Sequence, residues 1–190
     1  MPEQRPSLMR RVAREPLGGA TISRLRPLAA AAAVATILAV AASTLEPPRP
    51  RLLWNASASS PVGLYRLDSP LAVARGDMIV AWPPEAAQGL AAARHYLPRT
   101  VPLIKPVAAI AGDRVCARSD RIFLNGRVVA RRQQRDPAGR SMPWWTGCRR
   151  LERGDLFLLS VGVPRAFDGR YFGVTHRRDI IGKARLLWRA

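Results

Sequence analysis

One long apolar stretch without charge divides the sequence in two. Leu28 to Ala42 carries no charge, and the apolar character continues to Leu45, just before a Glu46-Pro47-Pro48 break. As a helix, the stretch from Leu28 to Leu45 spans about 27 Å at about 1.5 Å per residue. The hydrocarbon core of a bilayer is about 30 Å thick. We therefore predict a transmembrane anchor over residues 28–45.

Basic residues ahead of this stretch predict its orientation. Six arginines and two glutamates precede Leu28. A basic flank is retained in the cytoplasm. We therefore predict a cytoplasmic N-terminus over residues 1–27, a single pass through the bacterial inner membrane, and a periplasmic domain over residues 50–190.

Two other interpretations of the apolar stretch are open. It could be a signal peptide that is removed, with Ala39-Val40-Ala41 as the small-residue cleavage site. The basic lead of about 27 residues is long for a signal peptide, which favours the anchor. A buried helix of a soluble protein is the third interpretation. The first two both place residues 50–190 in an oxidising compartment.

The predicted oxidising compartment bears on the two cysteines, Cys116 and Cys148. In an oxidising compartment they could form one disulfide, and the alternative is two buried thiols. Their spacing matches no metal motif, and only His95 and His176 could add imidazole ligands. The sequence therefore gives no reason to expect a metal.

The charge of the chain favours anionic partners. The net charge is +18, and the arginines are spread along the whole chain without a long basic block or interleaved aromatic residues. Such a charge attracts anionic partners, either nucleic acid or anionic lipid headgroups. We expect no nucleic-acid partner.

Short apolar runs separated by glycine and proline predict a mainly β domain after residue 50. Asn125-Gly126 predicts a type I′ hairpin turn. One helix is predicted over Glu85 to Tyr96, and residues 131–147 are predicted to form a loop. The predicted strands are Leu64 to Leu67, Met78 to Trp82, Leu103 to Ala111, Ile122 to Leu124, Val128 to Ala130, Leu156 to Val161, Tyr171 to Val174 and Ile180 to Trp188.

Lys105 stands out because the chain uses arginine almost everywhere else. Only Lys105 and Lys183 are lysines among the 31 basic residues, and Lys105 lies within an apolar run. Aliphatic neighbours solvate an ammonium poorly and favour the neutral amine, a form that arginine does not reach. A neutral amine can act as the general base for a serine nucleophile. The alternative is a lysine at a strand end whose ammonium reaches water.

A turn rich in hydroxyl groups follows the apolar stretch. It runs from Asn55 to Tyr65 and contains Ser57, Ser59 and Ser60. Its small residues would let a peptide substrate approach closely. The alternative is an ordinary serine-rich linker after a membrane helix.

Three segments in order resemble the type I signal peptidases, which are membrane-anchored serine–lysine proteases. Within that family the chain looks most like the branch that serves conjugative transfer. The segments are Ser57-Ala-Ser59-Ser60-Pro61-Val-Gly63-Leu-Tyr65, Leu103-Ile-Lys105-Pro-Val-Ala-Ala-Ile-Ala-Gly112-Asp113-Arg-Val115, and Phe167-Asp168-Gly169-Arg170-Tyr171-Phe172-Gly173-Val174 with Asp179-Ile-Ile-Gly182-Lys-Ala184 after it.

The resemblance implies a role for each matching residue. Ser59 matches the nucleophile and Lys105 the general base. Ser57 matches the hydroxyl that helps the Ser59 amide form the oxyanion hole. Asp168 and Arg170 match a supporting acidic–basic pair. The implied fold is a signal-peptidase-like β domain behind one N-terminal transmembrane helix, with no metal or cofactor.

The resemblance also implies the partner. It is an exported precursor, a pilin in the conjugative branch, which some members of that branch join into a ring instead of hydrolysing. A general signal peptidase and a membrane-anchored component without catalysis are the alternatives. A Ser-His-Asp hydrolase would need His95 or His176, and the chain has no Gly-x-Ser-x-Gly elbow.

Two positions depart from the common family pattern. Only Ser60 separates Ser59 from Pro61, where most bacterial members have two residues; this suits the conjugative branch. Ala166 stands where the common pattern has a serine that is thought to orient the lysine. Ser160 is the candidate for that task here, unless the lysine is less constrained.

Overall fold

The structure is a computed structural model that describes residues 19–45, 51–70 and 72–190, with side chains of residues 27–42 in the first helix. The chain divides into two units, residues 1–49 and residues 50–190. Most of the predicted cytoplasmic segment and the Glu46-Pro47-Pro48 break lie outside the described residues.

The described part of the first unit is one helix. Helix α1 covers Gly19–Leu45 and contains Pro27. Leu28, Ile37 and Leu38 are exposed along it. Over the residues that the structure describes, no helix is both long and apolar enough to cross a membrane.

The second unit contains two β-sheets, as the mainly β prediction requires. Its described strands are β1 Leu52–Asn55, β2 Gly63–Asp68, β3 Met78–Ala81, β4 Leu103–Ala109, β5 Arg114–Arg118, β6 Arg121–Leu124, β7 Arg127–Arg131, β8 Gly147–Arg150, β9 Phe157–Leu158 and β10 Ile180–Arg189. The helical segments are α2 Glu85–Ala93, α3 Gly169–Phe172 and a 3-10 turn at Arg177–Asp179.

The larger sheet contains Lys105, which lies in β4, and it also contains β1 and β2, which flank the serine-rich turn. Its strand order is β1-β2-β10-β3-β4-β9, and its paired strands are antiparallel. The burial of β4 alternates through Val107 and Ala109, as expected for a strand with one face in the core. One core cluster packs Ile79, Leu103 and Leu158 together, and this fixes β4 between β3 and β9.

The smaller sheet has the order β7-β6-β5-β8. Asn125 and Gly126 connect β6 to β7, and their φ values of 49° and 86° are both positive, as a type I′ turn requires. Cys116 pairs directly with Cys148 across β5 and β8, and the two form a disulfide. The bond joins residues 32 positions apart, and closing such a loop stabilises a domain by about 4 kcal/mol through the unfolded chain.

Several local predictions are corrected by the structure. The prediction of a strand over Tyr171 to Val174 is wrong, because α3 covers the first half of this segment. Asp168 caps the start of α3 by accepting a hydrogen bond from the Arg170 amide. The predicted helix begins at Glu85 as expected but ends at Ala93, ahead of His95 with its positive φ. Strands β1, β5 and β8 were not predicted: β1 is a short run of four residues, and arginines and cysteines interrupt the apolar pattern of β5 and β8.

Candidate active site

The serine turn between β1 and β2 is held in shape by Asn55. This buried side chain donates hydrogen bonds to the carbonyl oxygens of Ser57, at 3.0 Å, and Pro61, at 2.9 Å. Its Oδ1 accepts from the Ser57 amide at 3.1 Å. The Tyr65 hydroxyl donates to the same Pro61 carbonyl oxygen. These contacts fix the backbone on both sides of Ser59.

Two further contacts attach the turn to the larger sheet. The Ser60 hydroxyl is buried and donates to the carbonyl oxygen of Ile104 at 2.8 Å. Gly63 follows with a φ of 151°, and a side chain there would overlap the Trp188 carbonyl group. The turn therefore lies against β4, one residue away from Lys105, and against β10.

Lys105 and Ser59 meet at this junction. The Lys105 Nζ donates a hydrogen bond to the Ser59 Oγ, across 46 positions of sequence. The Lys105 side chain is buried, with 4% of the residue exposed, whereas the Ser59 side chain is reached from the surface. The structure thus brings together the two residues that the resemblance pairs.

The environment of Lys105 makes its neutral form accessible. Burial lowers its pKa to about 8 from the usual 10.5, while the Asp168 carboxylate raises the pKa and Arg170 lowers it. At neutral pH roughly a tenth of the amines are then unprotonated, compared with fewer than about one in a thousand for an exposed lysine. A neutral amine can accept the Ser59 proton.

The Ser57 hydroxyl lies beside the same serine. Its Oγ is 2.9 Å from the Ser59 Oγ, and the Ser59 amide is directed at it across 3.4 Å. A hydroxyl and a backbone amide therefore both lie next to the Ser59 side chain.

Asp168 and Arg170 form a buried ion pair behind the lysine. Their side chains are 0% and 2% exposed, and Arg170 donates through Nε to Oδ1 at 2.8 Å and through a terminal nitrogen to Oδ2 at 3.1 Å. The pair also holds both sides of the Ser160 backbone: Asp168 accepts from the Ser160 amide, and Arg170 donates to the Ser160 carbonyl oxygen, each at 2.9 Å. Both residues act on Lys105 through their charges.

Two grooves meet at Ser59. The smaller, of about 410 Å³, is lined by Ser59, Ser160 and Val163 among others. The larger, of about 700 Å³, contains Ser59, Lys105 and Ala166, and part of its wall comes from the loop between β7 and β8. Open space thus adjoins Ser59 in both grooves.

The histidines are placed elsewhere. His95 is exposed in the turn after α2, and His176 Nδ1 is hydrogen-bonded to Asp155 Oδ1 at 2.8 Å. Neither histidine is among the described residues that line the two grooves. The geometry does not favour a Ser-His-Asp site.

Asn55 is the site residue whose role the sequence analysis missed. An asparagine two positions before a serine is a signal for a turn in which the side chain bonds the backbone. That signal was present in the sequence, but the three carbonyl groups that Asn55 serves become visible only in the folded turn.

A comparison with protein families agrees with this geometry. The family described as "Signal peptidase, peptidase S26" matches residues 24–189, a range that includes all the site residues above. The chain belongs to this signal peptidase family. The resemblance inferred from the three sequence segments is thereby confirmed.

Individual relatives of the chain are named as plasmid or conjugal transfer proteins. The plasmid transfer protein TraF of Escherichia coli is 29% identical over 67% of this chain and 77% of its own length. The conjugal transfer protein TraF of Agrobacterium tumefaciens is 30% identical over 69% and 78%. The probable conjugal transfer protein TraF of Sinorhizobium fredii is 33% identical over 68% and 73%.

A solved signal peptidase I from Enterococcus faecalis is also similar in part. It aligns with 59% of this chain and 96% of its own, at 19% identity and a TM-score of 0.35.

Burial of Lys105 predicts a stability that depends on pH. Its folded pKa is about 8, below the 10.5 of the unfolded chain, so the folded state carries the full cost of the buried charge below pH 8. We expect Lys105→Met to raise the free energy of unfolding at pH 7 by about 3 kcal/mol. The gain should shrink between pH 8 and 10.5, as the wild-type amine deprotonates. Chemical denaturation across this pH range measures it.

The matched control is Arg118→Met, which removes an exposed cation that stays charged over the same range. Its effect should not change with pH. A Lys105→Met effect that is equally constant would contradict a depressed lysine pKa.

Proposed function

We propose that this signal peptidase is a membrane-anchored serine endopeptidase that processes an exported precursor by acyl transfer. The observation that carries the proposal is the hydrogen bond from the buried Lys105 amine to the Ser59 hydroxyl. A hydroxyl at ordinary pKa is a weak nucleophile, and an adjacent base activates it.

The reaction follows from these positions. Neutral Lys105 takes the Ser59 proton while the Ser59 oxygen bonds to the substrate carbonyl carbon. The Ser59 amide and the Ser57 hydroxyl stabilise the oxyanion. The Lys105 ammonium then gives its proton to the leaving amine, and an ester on Ser59 remains. Water releases the acid, or an amine of the substrate releases an amide.

We infer further that the chain is anchored by residues 28–45, with residues 1–27 in the cytoplasm and residues 50–190 in the periplasm. Helix α1 covers this segment and extends to Leu45, and apolar side chains such as Leu28 and Ile37 are exposed along it. The Cys116–Cys148 disulfide supports an oxidising compartment for the second unit.

Alkaline carbonate extraction tests the anchor. Full-length protein should stay with the membrane pellet, whereas residues 50–190 expressed behind a removable signal peptide should appear in the periplasmic fraction. Extraction of the full-length protein into the supernatant would contradict the anchor.

The substrate that we favour is a conjugative pilin precursor. This rests on the names of the relatives, which are plasmid and conjugal transfer proteins. Both grooves at Ser59 can accept an extended chain, and release of the ester by water or by an amine gives a linear or a cyclic pilin.

Pilin processing in conjugating cells tests both the residues and the substrate. We expect Ser59→Ala and Lys105→Ala each to lower processing by at least about 10³-fold, because nucleophile and base act as a unit. His176→Asn should process as the wild type does, because His176 lies outside both grooves. Intact mass of the pilin is the readout, and a difference of one water separates linear from cyclic product.

If all three variants process the pilin as the wild type does, the pilin is not the substrate. A general signal peptidase would then reveal itself by accumulation of other precursors in the Ser59→Ala strain.

The lysine base also predicts the pH dependence. Only the neutral amine accepts the Ser59 proton, so kcat/KM should fall about tenfold per pH unit below about pH 8 and level off above it. A pH profile of precursor cleavage in detergent, from pH 6 to 9.5, measures this. A midpoint near pH 6.5, typical of histidine, would exclude Lys105 as the base.

A further inference from the structure

Ser160 carries a buried hydroxyl without a partner. The residue is 3% exposed, and its Oγ makes no hydrogen bond to any residue that the structure describes. Leaving a buried hydroxyl unpaired costs about 1–3 kcal/mol, and most buried polar groups are therefore paired. An unpaired hydroxyl in the wall of a reactive groove calls for a functional explanation.

The strand register brings the Ser160 backbone close to that of Lys105. Val107 in β4 pairs with Leu158 in β9, and the Leu159 amide continues the ladder by donating to the Pro106 carbonyl oxygen at 3.0 Å. Ser160 directly follows Leu159, and Lys105 directly precedes Pro106, so the two residues are neighbours of this last backbone contact.

The Ser160 backbone is held rigidly in this place. The Asp168 carboxylate accepts from its amide, and Arg170 donates to its carbonyl oxygen. Ser160 also lines the smaller groove together with Ser59. The buried ion pair thus determines where the Ser160 hydroxyl stands relative to the Ser59–Lys105 pair.

The position at which the family pattern has its lysine-orienting serine is Ala166 in this chain, and a methyl group accepts no hydrogen bond. Ala166 lines the larger groove with Lys105, whereas Ser160 lines the smaller one. The missing hydroxyl and the unpaired hydroxyl therefore belong to the walls of different grooves.

We propose that Ser160 is the positioning residue for Lys105: its hydroxyl accepts a hydrogen bond from the ammonium that forms when Lys105 takes the Ser59 proton. The inference rests on the proposed function for its role in turnover. Ser160 keeps its own proton throughout. An ammonium has three donors, one of which faces Ser59, so a second is available to Ser160. The hydroxyl stabilises the charged lysine at the moment when the ester bond forms.

The scarcity of lysine makes a direct test possible. With only Lys105 and Lys183 in the chain, lysine labelled with ¹³C at Cε gives two signals in an NMR titration, and Lys183→Arg assigns them. The charged groups that act on Lys105 are Asp168 and Arg170, and both stay in place in the variants. We expect Ser160→Ala to lower the Lys105 pKa by about half a unit, since an acceptor for the charged form is lost.

A second substitution separates positioning from packing. Ala166→Ser in the Ser160→Ala background should return the Lys105 pKa towards the wild-type value, because it supplies a hydroxyl from a residue that lines the same groove as Lys105. In cleavage of the precursor, Ser160→Ala should lower kcat by about 10- to 100-fold with KM unchanged, and the double variant should recover most of the loss.

An unshifted Lys105 pKa in Ser160→Ala overturns the proposal, and so does a shift that Ala166→Ser leaves uncorrected. The titration needs no substrate. A shifted and rescued pKa in a protein that cleaves nothing would therefore uphold the positioning role while the peptidase function fails.

Discussion

A lysine side chain held away from water beside a serine hydroxyl is the interaction on which this molecule depends. Lys105 lies in β4, where it pairs with Ile79 of β3, and only 4% of the residue is exposed. The same burial that depresses its pKa opposes folding while the amine is charged. Packing of the sheet offsets the cost of burying this charge. The burial that lowers the pKa of Lys105 therefore also lowers the stability of the fold.

Hydrogen bonds position the turn that carries Ser59, whereas nearby charges act on Lys105. Asn55 and Ser60 hold the turn that carries Ser59, one by bonding the turn to itself and the other by bonding it to the Ile104 carbonyl oxygen. Asp168 and Arg170 form an ion pair, and their charges shift the pKa of Lys105 in opposite directions. The position of Ser59 thus depends on contacts at the start of β4, whereas the charges that act on Lys105 come from the segment after β9.

The sequence predicted the parts of this arrangement that have strong local signals. Three features could be predicted because each depends on its immediate neighbours in the sequence: the isolated lysine in an apolar run, the serine-rich turn and the Asn-Gly hairpin. The α3 turn was mistaken for a strand, since Tyr171 to Val174 is apolar and the capping by Asp168 reverses that preference. Contacts such as Asn55 with Pro61, or Ser160 near Lys105, depend on strand register, which no single segment encodes.

The tether between Ser60 and Ile104 has a consequence for the timing of activity. Ser59 and Lys105 are far apart in sequence, and the Asp168–Arg170 pair comes later still, so the groups become neighbours only after the larger sheet has closed through β4 and β9. Contacts between distant segments form late because loop closure must precede them. In an unfolded chain Ser59 and Lys105 are therefore apart, and the lysine lacks the burial that lowers its pKa, so the proposed peptidase activity requires the folded domain.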